Sequence, residues 1–504
     1  LTYAQFSETL GAVLGETSIL NIKLNRVKSS GALTREGHRN QANICQPFKA
    51  LIGFLVIAFL IMPLPSLGQS ERSGAPELRT LGPNLTPTGA ELSGNEAGTI
   101  PSWTGGITSP PPEYVTGSPY IDIFADDKPL FEITSQNLAD HADKLSQTHK
   151  ELFRLYPDTY KMTIYPSRRS CAWSQDVYQA IQRNSETAKL VNQGNGIEGA
   201  LMSVPFPKPT TGIELYWNHN LHYKGHKIYQ KITGGTVYPN GKHVRVVRED
   251  KKLIHYGNPE LTDFSQLDNI EMNWIGIWSA PIRNSGSGFS MKNPIDQIIE
   301  PRSGSFFSPD MRKIMKATPS RVTYEAPMST SPNTRISDDM FLFNGAPDRY
   351  DWKLVGKKEL YIPYNSYKSQ AEGIKIDALL QAKHLNPDYI RYELHRVWVV
   401  EATLKADARH PYQRRVLYFD EDSWIATIAE IYDEADQMVA GQVGFIKNYY
   451  DVPACFQSFD VKYTFTNGQY NVDNLNIEFG VPRYDMNIRE RDFGASALRR
   501  AINR

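Results

Sequence analysis

Three histidines, His219, His222 and His226, fall within the run Trp217-Asn218-His219-Asn220-Leu221-His222-Tyr223-Lys224-Gly225-His226. Imidazole is a common metal ligand, and on a helix the first two would share a face. Gly225 and the β-rich residues that follow point instead to a strand end or a turn, so clustering by chance is the simpler reading and no metal is assigned. Gly194-Asn195-Gly196-Ile197-Glu198-Gly199 matches the spacing of a dinucleotide-binding turn. That turn needs a strand before it and a helix after it, so that a pyrophosphate meets the helix amino terminus. Here a helical pattern precedes it and Pro205 and Pro207 follow, which makes it a loop and leaves no cofactor to assign. Acids cluster at Asp126-Asp127, Asp338-Asp339, Asp348 to Asp351 and Asp420 to Asp422. Two carboxylates facing each other across a cleft could hydrolyse a glycoside, but most of these sit in expected turns, where Asp is favoured for its local backbone hydrogen bonds. Arg168-Arg169 offers two guanidiniums suited to a phosphate or carboxylate head group, or to surface ion pairs. With no H-E-x-x-H, Walker loop or G-x-S-x-G elbow, no catalytic residue is assigned and the chain is not read as an enzyme.

The chain that must position these residues has 504 of them, 40% apolar and 22% charged, with 55 basic and 55 acidic side chains. That is enough to bury a large core, and the balance excludes both a disordered chain and a polybasic nucleic-acid binder. The unbroken apolar run at 50–62 follows Lys49 and ends at Pro63. At 1.5 Å per residue it covers about 20 Å, short of a hydrocarbon core of about 30 Å. A basic flank, a short apolar stretch and small residues fit a signal peptide cleaved before Gln69, which predicts export of the mature chain. The 48 residues ahead of the run are unusually long for a signal, which an overextended gene start would explain. Cys45 leaves with the leader. Export would permit Cys171 and Cys455 to pair if their Cα atoms lie within about 7 Å.

Three regions are expected: a leader at 1–68, an extended Pro/Gly-rich arm at 69–136 with Trp103, Tyr114 and Tyr120 as anchors, and a β domain at 137–504. Helical spacing runs from Asn137 to Tyr156 and from Ser174 to Leu190, then fades after Gly199 until Ser496 to Ile502. Between these lies strand-and-turn grammar. Phe459, Val461, Tyr463 and Phe465 alternate with polar residues, predicting one dry and one wet face, and Asn467-Gly468 supplies a hairpin turn. Further strands are read at Lys227 to Ile232, His243 to Arg248, Tyr392 to Leu404, Arg414 to Phe419, Trp424 to Tyr432 and Gln442 to Tyr449. Consecutive hairpins without intervening helices predict a mainly β, α+β fold built on a large curved antiparallel sheet.

The run from Asp338 through Phe341-Leu342-Phe343-Asn344-Gly345-Ala346-Pro347 to Glu359 is distinctive. So are Gly98-Thr99-Ile100-Pro101-Ser102-Trp103-Thr104-Gly105-Gly106, Tyr165-Pro166-Ser167-Arg168-Arg169, and Tyr392 to Glu401. With these motifs the chain, from about Leu81 onward, resembles an exported Gram-negative family known as domain of unknown function 1329. The resemblance implies a fold similar to outer-membrane lipoprotein carriers, a half-barrel whose concave face is closed by helices. It also implies partnership with an inner-membrane exporter of the resistance-nodulation-division type and with an outer-membrane protein. It supplies no catalytic residue, and of the three histidines its motif keeps only His219. The expected function is a periplasmic carrier of a hydrophobic or amphiphilic, lipid-like molecule. The alternatives are a cargo-free structural adaptor of an envelope transport complex and a carboxylate-based periplasmic hydrolase. The expected ligand-facing set comprises aromatic and basic residues of the motifs: Trp103, Arg168, Arg169, Trp217, Tyr350, Trp352, Arg396 and Trp398.

Overall fold

The computed structural model describes residues 81–326 and 334–502. The apolar run at 50–62, the expected cleavage before Gln69 and the start of the expected arm lie outside them. Among the described residues, no helix is long and apolar enough to cross a membrane.

Fifteen strands form one sheet. Two short strands, β1 (Phe131–Ile133) and β2 (Met162–Tyr165), come first, and β3 (Lys189–Val191) and β4 (Gly196–Glu198) form a separate hairpin. A first meander follows: β5 (Lys227–Val237), β6 (His243–Ile254), β7 (Ile270–Ala280), β8 (Gly288–Pro294), β9 (Ser303–Ser308) and β10 (Lys313–Lys316). The long β11 (Tyr350–Pro363) leads into a second: β12 (Tyr392–Leu404), β13 (Arg414–Asp420), β14 (Ala426–Tyr432), β15 (Met438–Tyr449), β16 (Ala454–Thr464) and β17 (Gln469–Leu475). The meanders join edge to edge where β17 pairs with β5, Tyr470 opposite Val237. The spatial order therefore runs β1-β2-β12 through β17, then β5 through β10, with β11 also paired to β12. Pairing is antiparallel except where Tyr392 and Glu393 lie beside Ile164 and Tyr165. The sheet is open, and bulges in both meanders, such as Leu354/Gly356 and Val247/Arg248, bend its strands.

The helices are α1 (Gln147–Leu155), α2 (Gln175–Thr187), α3 (Gly212–Leu221), α4 (Ile376–Leu379) and α5 (Gly494–Ile502). The helix expected from Asn137 to Tyr156 is broken in two: a 3-10 segment at Leu138–Lys144, then α1, which restarts where Ser146 Oγ accepts the His149 N–H at 3.2 Å. Helix α3 runs against the expected loss of helical signal after Gly199. It is set by Thr211-x-x-Glu214, in which the Glu214 carboxylate turns back to accept the Thr211 N–H at 3.0 Å. The six residues between Gly194 and Gly199 form the turn and second strand of the β3–β4 hairpin.

The second meander is buried on both faces. Leu152 and Phe153 of α1 share a core with Val443, Phe445, Phe459 and Val461, while Leu215 and Leu221 of α3 join Val397, Leu417 and Ile428. The expected wet face of β16 is dry as well. Asp460 there pairs with Arg335, and Lys462 reaches Asp339 at 2.6 Å, because the 3-10 segment Ser337–Leu342 lies across these strands. Cys171 and Cys455 are disulfide-bonded, with Cα atoms 5.5 Å apart, closing a link between residues 284 positions apart in sequence.

Candidate functional site

Alternation along the first meander builds a hollow. On β7, Ile275 and Ile277 join a small core with Ala497 and Leu498 of α5. A strand sends successive side chains to opposite faces, so Met272, Trp274 and Trp278 project the other way, together with Phe289, Met291 and Phe306 of the next strands. Gly276 lies between the two tryptophans, and a Cβ there would stand 2.5 Å from the Phe289 ring; the missing side chain is what seats that ring, edge-on to Trp274 at 4.9 Å between centroids. Segments around Arg302, Val322 and Met340 complete a cavity of about 370 Å³, within the range that holds small apolar ligands. Its lining contains no Asp, Glu or His.

The donors at its wall are only partly used. Trp274 Nε1, Trp278 Nε1 and Arg302 Nε have no acceptor among the described residues. Arg302 is buried; its Nη2 donates to the Asn344 carbonyl at 2.8 Å and its Nη1 to the Val322 carbonyl at 3.4 Å, and burial pulls its pKa below the usual guanidinium value. Arg248 is also buried but is held by Asp250 at 2.8 Å. A second chamber of about 60 Å³ adjoins Asn344, which lines both spaces. Lys252 lines it, its ammonium 5.0 Å from the Trp274 ring centre and 5.2 Å from that of Phe341, and burial lowers its pKa to about 8. His219 and His222 line it too. His219 accepts the Ala426 N–H at Nδ1 and donates from Nε2 to the Phe341 carbonyl, so burial holds it neutral, its pKa lowered to about 3.

Residues 132–499 match the family described as protein of unknown function (DUF1329). The uncharacterized protein PA3922 of Pseudomonas aeruginosa is 36% identical over 429 residues, covering 84% of this chain and 93% of its own. The chain belongs to the DUF1329 family. Among solved structures, a DUF1329 protein from Desulfovibrio piger shares 14% identity over 55% of this chain and 92% of its own, with a TM-score of 0.38. A putative outer-membrane lipoprotein-sorting protein domain from Vibrio parahaemolyticus shares 13% over 54% and 91%, with a TM-score of 0.37.

In this DUF1329 protein the eight motif residues fall into two groups, and none lines either chamber. The first group holds the residues near 86–103 against the sheet. Arg169 forks onto Asp422 at 2.6 and 2.9 Å and donates to the carbonyls of Glu91, Leu92 and Pro101. Arg396 pairs with Glu421 at 2.6 Å and reaches the Ser93 carbonyl, and Lys357 bridges Glu421 and Glu91 beneath the ring of Trp398. Trp103 enters through its backbone N–H to Leu92, and Arg168 forms an exposed pair with Asp127. The second group surrounds α3. Trp217 donates to the Gly194 carbonyl, Trp352 to that of Pro347, and Tyr350 to that of Tyr412, with Tyr216 packed on Trp217 and Trp352. Their polar atoms are already satisfied by protein.

Among the acid clusters, Asp338-Asp339 and Asp420 to Asp422 are buried rather than solvated, whereas Asp126 and Asp351 are exposed. Asp338 meets Arg415 at 2.8 Å and His410 at 2.9 Å. Burial raises Asp420 to about 7 while Ser423 fixes its Oδ2, and Asp420, Asp422 and His395 place ligand-type atoms within 4.8 Å of one another. Those are donor types that could hold a cation, yet both Asp422 oxygens face the Arg169 fork, which already supplies the opposing charge. His395 is tied through Nε2 to Glu393 at 3.1 Å. Neither acid lines either chamber. The residues missed from sequence are those of β7 to β9. Their signal was Trp274-x-Gly276-x-Trp278 interleaved with isoleucines, apolar on both faces.

Proposed function

We propose that this protein is a periplasmic carrier that shelters the apolar part of a hydrophobic or amphiphilic molecule between an inner-membrane exporter and the outer membrane. The observation that carries this reading is the cavity of about 370 Å³ walled by indole, phenyl and thioether groups on an open sheet. At about 0.8 kcal/mol per CH₂, exposing a sixteen-carbon chain to water costs on the order of 12 kcal/mol, and a dry wall removes that cost. The absence of any Asp, Glu or His from the cavity lining supports carriage over hydrolysis, which needs a base or acid beside the bound molecule. Space left unfilled supports carriage over a cargo-free adaptor.

The test is uptake. Protein purified without detergent should release lipid-like molecules on organic extraction, detected by mass spectrometry, and should enhance the fluorescence of the neutral apolar probe N-phenyl-1-naphthylamine. Finding no extracted lipid and no probe uptake would sink the carrier reading.

A further inference from the structure

The charge on the cavity wall is one-sided. Its lining includes Arg248 and Arg302 but no carboxylate. Arg248 is neutralised by Asp250, whereas Arg302 makes no ion pair among the described residues and is held only by carbonyl oxygens. Three buried groups left without a partner there among the described residues, Trp274 Nε1, Trp278 Nε1 and Arg302 Nε, are all donors. A buried unpaired donor costs roughly 1–3 kcal/mol, so such a wall favours whatever brings acceptors to it. Glu271 and Asp338 oppose the charge of Arg302 only from a distance, and a cation with no carboxylate in contact strengthens the preference for an acceptor that is charged. The rest of the lining combines apolar side chains, Phe289, Met291, Phe306 and Met315 among them, with the uncharged polar side chains of Asn284, Ser287, Ser308, Ser337 and Asn344.

Building on the carrier reading above, we propose that the cavity selects single-chain amphiphiles with an anionic carboxylate or phosphate head, with Arg302 and the two indole N–H groups as the head-group donors. The chain lies along the Phe and Met side of the cavity. A neutral head would leave Arg302 without an ion pair in contact, and a cationic head would add to its charge.

The experiment displaces N-phenyl-1-naphthylamine from the full chain with four ligands of one tail length: laurate, dodecyl phosphate, dodecanol and dodecyltrimethylammonium. The anionic pair is expected to compete at least about tenfold more tightly than dodecanol, as a charge-assisted hydrogen bond allows. The ammonium should compete weakest. Preference between laurate and dodecyl phosphate tells which acid is the natural head. Two variants localise the effect. Trp278→Phe keeps an aromatic side chain but removes the pyrrole part of the indole with its N–H; it should weaken anionic ligands severalfold and dodecanol less. Arg302→Gln should abolish the anionic preference and Arg302→Lys restore part of it, with melting curves confirming that each variant is folded. Equal competition by laurate and dodecanol, or anionic preference unchanged in both Trp278→Phe and Arg302→Gln, overturns the head-group assignment and leaves the carrier reading standing. Failure of every ligand and of the probe overturns both.

Discussion

Lys252 shows how one residue exposes the tension between storage and stability. Its ammonium lies over two aromatic rings, forms no ion pair among the described residues, and has its pKa lowered by burial to about 8, with Asp250 and Asp473 partly opposing and Arg248 and Lys224 adding to the effect. An unfolded chain keeps that proton until about pH 10.4. Between pH 8 and 10.4 the unfolded state therefore binds more protons, and stability rises with pH as the penalty is relieved; below 8 the penalty is present in full. Lys252→Met should then stabilise the protein by about 1–3 kcal/mol at pH 7, with the gain shrinking as pH approaches 10. Denaturant titrations at pH 7 and pH 9.5 check this, and a variant destabilised equally at both would show that the lysine is an ordinary structural residue. The lysine lies past the end of the strand read at His243 to Arg248, which the structure extends to Ile254. What could not be read there is that its partner across β7 is Trp274 rather than an acid, since register is a property of the pairing.

At the scale of elements, local signals gave the second meander: Tyr392 to Leu404 was read with the ends the structure gives it, and the neighbouring strands were within a few residues. The first meander was half hidden. Strands β7 and β9 carry apolar residues on both faces, one side for α5 and the other for the cavity, which erases the wet-dry alternation that marks a strand. The same erasure misled the reading of β16, where polarity marks buried ion pairs. For the candidate site the difficulty was of another kind. Motif aromatics and arginines attract notice because of their chemistry, yet Arg169, Arg396 and Trp398 spend it on holding residues near 86–103 against β11 to β13. Breaking one member of that group strands a buried charge. Arg169→Met should cost about 3–5 kcal/mol by leaving Asp422 unpaired, and should expose the segment 86–103 to limited proteolysis. If the variant kept its melting temperature and resisted cleavage in that segment, the clamp would not be what secures it.

For the whole molecule, one open sheet serves two purposes. Its second meander is packed on both faces by α1, α3 and the Ser337–Leu342 segment, and its first is packed by α5 on one face and hollow on the other. Packing densities in protein cores are near those of organic crystals, so a void of about 370 Å³ forfeits dispersion contacts that the solid half retains. The asymmetry predicts opposite responses to the same kind of enlargement. Met291, which lies opposite Trp274 on β8 and lines the cavity, should accept Trp with little change in melting temperature, because the ring enters empty space; probe and amphiphile uptake should fall sharply. Val443, buried on β15 within the core shared with Leu152 and Phe445, has no such space, and Val443→Trp should destabilise by about 1–3 kcal/mol or more through overpacking. The pair of variants, compared by thermal melts and by N-phenyl-1-naphthylamine titration, separates a binding cavity from a merely loose core. A Met291→Trp protein that still takes up the probe would place the ligand outside the first meander, whereas one that unfolds would mean the hollow is closed by movement of its walls in solution.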